Sequence, residues 1–313
     1  MISKEEFIAH CDAQIPQEEK DKYSKKTKKL YITLLCVLVG ELLSAFILSK
    51  IWVYSLFLLI PISIIVDIIL IVKMKYKWGE FKRNYSKVAF DCLLKDYKYE
   101  FEPDYCIGEM IFDASGFGDS YDSYGGEDLL SINIPNDDGT PSDIDLKVCD
   151  LRVTRTETRT VTVTNKDGST STKEETYTVT VYDGVFGYIY FPFKFKCNMS
   201  LNIHFRGQDK IKLEDIKFNK TFKTYTDDQL ETLVILTPTL INKLIAFSNR
   251  VNKFKLSLRR DGSLYFGMNG NLFRLKSFFK KPSGKVFERY YDDTLDLLLL
   301  VNEIKNNNKV FNM

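Results

Sequence analysis

The chain has 313 residues and a mass of 36.4 kDa, and its 44 Lys and Arg against 42 Asp and Glu leave a net charge of only +2. With basic residues either beside an apolar block or alternating with acids, the composition argues against nucleic-acid binding. Two histidines leave little material for Ser-His-Asp or Cys-His catalysis or a His-rich metal centre, and the six cysteines show no CxxC or other metal spacing.

In chain order, Ser3-Lys4-Glu5-Glu6 has the spacing of a capping box and predicts a short helix that stops near Pro16. Leu30–Val72 is an almost continuous apolar block. A spanning helix needs roughly 20 mostly apolar residues, so Leu30–Ser49 and Ile51–Val72 predict a transmembrane hairpin with Lys50 at its tip. Pro61 removes a backbone donor and should kink the second span. Lysines precede the first span (Lys20, Lys22, Lys25, Lys26, Lys28, Lys29), and basic residues follow the second (Lys73, Lys75, Lys77, Lys82, Arg83). Cationic flanks stay in the cytoplasm, so both termini are expected inside a multi-pass plasma-membrane protein, with no cleaved signal peptide.

Glu41 and Asp67 lie within the two spans. Intramembrane carboxylates can mark ion paths, but a hydrogen-bonded carboxyl that helps helices associate is the plainer reading. A single hairpin has too little wall for a pore, so transport would require an oligomer.

Phe81, Tyr85, Val88, Cys92 and Leu93 recur at helical spacing. They predict a juxtamembrane helix within residues 74–104, closed by Pro103. From residue 105 the period changes to two. Strands are expected at Glu109–Phe117, Leu129–Ile134 and Asp143–Val153, with the glycines Gly116, Gly118, Gly125 and Gly126 breaking the chain between the first two. Thr occupies every even position from Thr154 to Thr164 and returns at Thr170, Thr172, Thr176, Thr178 and Thr180. With a turn at Asn165-Lys166-Asp167-Gly168, this predicts a long hairpin pairing Thr164 with Thr170, Thr156 with Thr178, and Arg159 with Glu175. Its distal half is polar on both faces and should project into solvent, either as a docking arm or as a solvated insertion.

Tyr182–Phe195 should form the central buried strand region, followed by strands at Met199–Phe205, where His204 faces the surface, and Ile216–Thr224. Asp227 is expected to cap a helix over about 228–236. Thr237 should cap another with Pro238 at its first position, ending near Asn249. Lys253–Leu258 and Ser263–Met268 flank the turn Arg260-Asp261-Gly262. Asp292 or Asp293 should open a last helix through Leu295–Lys305, leaving residues 306–313 as a tail. The fold class is therefore α+β: a cytoplasmic N-terminal segment (1–29), a transmembrane hairpin (30–73), the juxtamembrane helix, and a mainly antiparallel sheet with packed helices (105–305).

Three places resemble a bacterial, membrane-anchored family of unknown function (DUF3137-like). They are the N-terminal apolar hairpin; Gly126-Glu127-Asp128 with the later Val185-Phe186-Gly187-Tyr188-Ile189-Tyr190-Phe191; and Tyr225-Thr226-Asp227-Asp228-Gln229-Leu230-Glu231 running into Ile235-Leu236-Thr237-Pro238. The likeness extends over most of residues 30–280. It implies the topology and the α+β domain and brings no activity.

The acidic pairs Glu127-Asp128 and Asp227-Asp228 are the candidate metal ligands, since paired carboxylates can hold Mg²⁺ or Ca²⁺ or move protons. The structural alternative is a turn and a cap. No catalytic or cofactor-binding residue is assigned, and no cofactor is expected. The reading is a membrane-anchored module that binds partner proteins, with the lipid bilayer and copies of itself as further partners. A metal-dependent surface enzyme is the alternative, and an oligomeric channel around Glu41 the third reading.

Overall fold

The computed structural model describes residues 2–48, 53–136, 139–140, 142–164, 170–270 and 283–311; the side chains at 27, 41–48, 53–64, 66–67, 71, 74–78, 164 and 307–311 are outside this description. Lys50, the turn at 165–168 and the side chains of Glu41 and Asp67 therefore lie outside the described residues. The chain divides into two units, one of Met1–Lys95 with Phe273–Asp293, the other of Asp96–Leu272 with Thr294–Met313.

The first unit is helical. Helix α1 (Lys4–Gln14) carries the expected capping box: Ser3 Oγ accepts from Glu6 N at 3.2 Å, and Glu6 Oε2 accepts from Ser3 N at 2.8 Å. Ile15 is extended, as the residue before Pro16 must be. Helix α2 (Gln17–Leu48) then starts thirteen residues before the expected Leu30, and α3 (Val53–Leu93) runs unbroken through Pro61. Lys20, expected in the cationic collar, is buried and paired with Asp12 at 3.0 Å. Among the described residues no single helix is long and apolar enough to cross a membrane.

Aromatic side chains form the core of this unit. Phe81 meets Tyr23 at 5.1 Å and Phe287 at 6.1 Å between ring centroids, and Phe90 meets Tyr290 at 5.3 Å. Tyr290 is fully buried, and its hydroxyl shares a 2.7 Å hydrogen bond with Ser86 Oγ. Burial pushes the Cys11 thiol up to about 12, so it is a packing group rather than a nucleophile.

The second unit is built on one antiparallel sheet of nine strands: β1 (Lys98–Glu102), β2 (Ser123–Asn133), β3 (Asp145–Thr164), β4 (Thr170–Tyr190), β5 (Met199–Leu201), β6 (Asp209–Ile211), β7 (Thr224–Thr226), β8 (Asn252–Leu258) and β9 (Ser263–Asn269). Their order is β1-β2-β3-β4-β9-β8-β5-β7-β6. The long hairpin has the expected register throughout: Thr164 faces Thr170, Thr156 faces Thr178, and Arg159 faces Glu175 at 3.2 Å. Between Val153↔Tyr182 and Thr154↔Thr180 the count slips by one, so Val181 is a bulge at the base of the arm.

Several elements correct the sequence reading. Residues 98–102 form β1 rather than the end of a helix; Lys98-Tyr99-Glu100-Phe101-Glu102 alternates and pairs with 129–133 of β2. Glu109–Phe117 is not a strand but helix α4 (Glu109–Ser115), ended by Gly116 at φ 67°. It buries Phe112 and Ser115, one helical turn apart. Gly125 and Gly126 do not break the chain; they lie inside β2, which begins at Ser123.

The strand after Tyr182 stops at Tyr190, ahead of Pro192. The strand predicted over Met199–Phe205 is only β5, cut by Asn202 at φ 58°, and His204 is exposed but off the strand. Ile216–Thr224 is mostly helix α5 (Ile216–Thr221), because Asp215 caps it by accepting from Phe218 N at 2.8 Å. Helix α7 (Pro238–Ser248) matches the expectation, with Thr237 as cap and Pro238 in its first turn. The last helix, α8 (Glu288–Phe311), opens before Asp292 and continues through most of the expected tail.

Candidate functional site

The acidic pairs do not converge. Glu127 and Asp128 lie on β2, second in the sheet, whereas Asp227 and Asp228 follow β7, the eighth. Six strand spacings separate them by roughly 29 Å.

Glu127-Asp128 instead meets a third acid that the sequence did not flag, Asp150 of β3. Glu127 and Asp150 are register partners, and the ladder slips between Glu127 and Leu130. At that bulge Asp128 takes φ 64°, and its N–H donates to Pro103 O at 3.0 Å instead of joining the ladder. The alternation that should send two adjacent carboxylates to opposite faces is broken, and one oxygen from each of Glu127, Asp128 and Asp150 lies within 4.8 Å of the others. Asp128 and Asp150 are only 4% and 5% exposed. Gly126 makes the approach possible: a Cβ there would sit 2.3 Å from Asp150 O. Three carboxylates so arranged offer hard oxygen ligands to a divalent cation.

The second pair is structural. Asp228, not Asp227, caps helix α6 (Gln229–Ile235), accepting from Leu230 N at 3.0 Å and Glu231 N at 3.2 Å. Such a cap contributes about 1 kcal/mol. Asp227 ties two loops together: its carboxylate accepts from Asn198 N at 2.8 Å, Asn198 Nδ2 at 2.6 Å and Arg260 Nε at 3.2 Å. Partial burial pushes the Asp227 carboxyl up, but the hydrogen bonds from Arg260 and Asn198 outweigh it and hold it below the usual carboxylate range.

The comparisons bear on the second half of the chain. Residues 175–305 match the model of DUF3137, described as a protein of unknown function. The matched segment takes in β4 from residue 175 inward, all of β5–β9, helices α5–α7 and most of α8. Asp227 and Asp228 lie inside it; Glu127, Asp128, Asp150 and the apolar block Leu30–Val72 lie outside it. No curated protein and no solved structure matches the chain.

Proposed function

We propose that this chain is a membrane-tethered, protein-binding module of the plasma membrane, with both termini cytoplasmic and the threonine-rich arm as its docking element. The observation that carries the reading is the arm. Residues 155–164 pair with 170–179, beyond the last residue that β2 covers on one edge (Thr154) and the last that β9 covers on the other (Gly184). The ribbon thus extends roughly 34 Å at 3.4 Å per residue, with open backbone edges of the kind that accept an added strand from a partner. The tether is supported by the sequence of Leu30–Val72, and by Ile32, Leu35, Val39, Ile65, Ile68 and Val72, which are all 48% or more exposed on α2 and α3. An apolar surface of that kind marks contact with lipid or protein.

Two measurements on the full chain test this. A cysteine placed at Lys50 should be labelled from outside intact cells and one at Lys166 should not; the reverse pattern overturns the topology. A photoreactive residue at Thr158 should crosslink to a discrete protein in cells, and replacing Thr156–Thr178 by Asn-Gly in the otherwise unlabelled chain should abolish affinity capture of that same protein while leaving melting nearly unchanged, because the outer arm buries little apolar surface. Absence of any adduct overturns the docking reading.

A second reading rests on the bulge that gathers Glu127, Asp128 and Asp150: a divalent cation bound there, serving a membrane-surface reaction. Titration calorimetry with Mg²⁺ and Ca²⁺ should give saturable heat that Asp150→Asn removes. No heat at millimolar cation ends that reading.

A further inference from the structure

A cavity of about 270 Å³ opens where the β8–β9 turn meets the loop after β5, walled in part by Phe205, Arg206, Gln208, Ser257 and Arg259. Arg259 is half-buried and held in a fixed plane. Its guanidinium carbon lies 5.3 Å from the Phe205 ring centroid and 5.5 Å from that of Tyr265, and Nη2 donates to Ser115 O at 3.1 Å. These contacts orient the charge without neutralising it. Among the described residues, no carboxylate lies within ion-pair distance of Arg259 or of the exposed Arg206. The one acid on the wall, Asp227, is committed to Arg260 and Asn198.

The third donor is an amide. Gln208 is 9% exposed, and its Oε1 accepts from Ser200 Oγ at 2.7 Å. Its Nε2 has no hydrogen-bond partner among the described residues. The cavity is therefore walled by two arginines and an amide whose N–H₂ reaches solvent, and the carboxylate on its wall is already neutralised.

We propose that this cavity binds a phosphoryl group, either free phosphate or the end of a phosphate ester. A tetrahedral dianion matches two guanidinium groups in charge and can engage donors on more than one side. The site is independent of the arm and of the three-acid cluster, neither of which contributes to its wall.

The test is calorimetric titration of the full chain in zwitterionic nanodiscs. Inorganic phosphate and glycerol 3-phosphate should bind saturably, and acetate about tenfold more weakly or worse. Arg259→Gln should weaken phosphate binding by about tenfold or more, and Arg206→Gln by several-fold with unchanged melting. Phosphatidic acid added to the nanodisc separates the sources: it blocks soluble phosphate if a lipid headgroup fills the site, and leaves it unaffected if a soluble ester does. No saturable binding at millimolar phosphate, binding unchanged by Arg206→Gln, or acetate as tight as phosphate overturns the proposal.

Discussion

Phe186→Ala should destabilise the sheet-containing unit by about 3–5 kcal/mol, the range for deleting a fully buried ring. Phe186 is 0% exposed on the central strand β4, and its ring centroid lies 5.2 Å from Phe112, 5.9 Å from Phe117 and 6.3 Å from Tyr182. Those rings come from α4, the loop after it and β4 itself, so one vacancy loosens a helix and a strand together. Against a typical total of about 5–15 kcal/mol, the loss is large enough to read directly in a thermal melt followed by near-ultraviolet circular dichroism. Tyr177→Ala is the control: Tyr177 is 42% exposed on the arm, so its loss should cost under about 1 kcal/mol. Equal shifts for the two would mean that Phe186 is not the hub of this core.

Gly187→Ala should cost about 3 kcal/mol, at the upper end for inserting one methyl group into a packed site. Gly187 faces Phe266 across the β4–β9 ladder, and a Cβ at Gly187 would lie 2.0–2.5 Å from three ring carbons of Phe266. That ring is itself 1% exposed and has nowhere to move. The mechanism predicts non-additivity. Once Phe266→Ala has removed the ring, adding Gly187→Ala should cost almost nothing, giving a coupling of about 3 kcal/mol in a double-mutant cycle. Additive losses would show that the cost comes from the backbone rather than from the ring.

What could be read from the sequence followed the number of repeats available. The Thr154–Thr180 hairpin was legible down to its pairing because alternation ran for many residues and the turn chemistry set the same register. Thr237-Pro238 was legible because cap and first-turn proline are local signals. Helices α4 and α5 were not, since seven and six residues make under two turns and cannot separate a period of two from 3.6. Asp227 was the expected cap by position; Arg260, distant in sequence, engages it and leaves Asp228 to cap. Asp150 joined the acidic cluster only through a bulge, and nothing in a single strand marks where its partner will slip. The phosphoryl cavity was equally invisible, because Arg206 and Arg259 are brought together by packing rather than by spacing.

No linker joins the arm to the domain. Residues of β3 and β4 pass from the ribbon into the middle of the sheet without interruption, where β3 is bonded to β2 and β4 to β9. Tension applied along the arm would enter the domain parallel to its strands and perpendicular to their interstrand hydrogen bonds. Those bonds would be loaded together, in shear, instead of being peeled one at a time. The arm is thus a stiff mechanical extension of the sheet's centre, and turning it would turn the sheet.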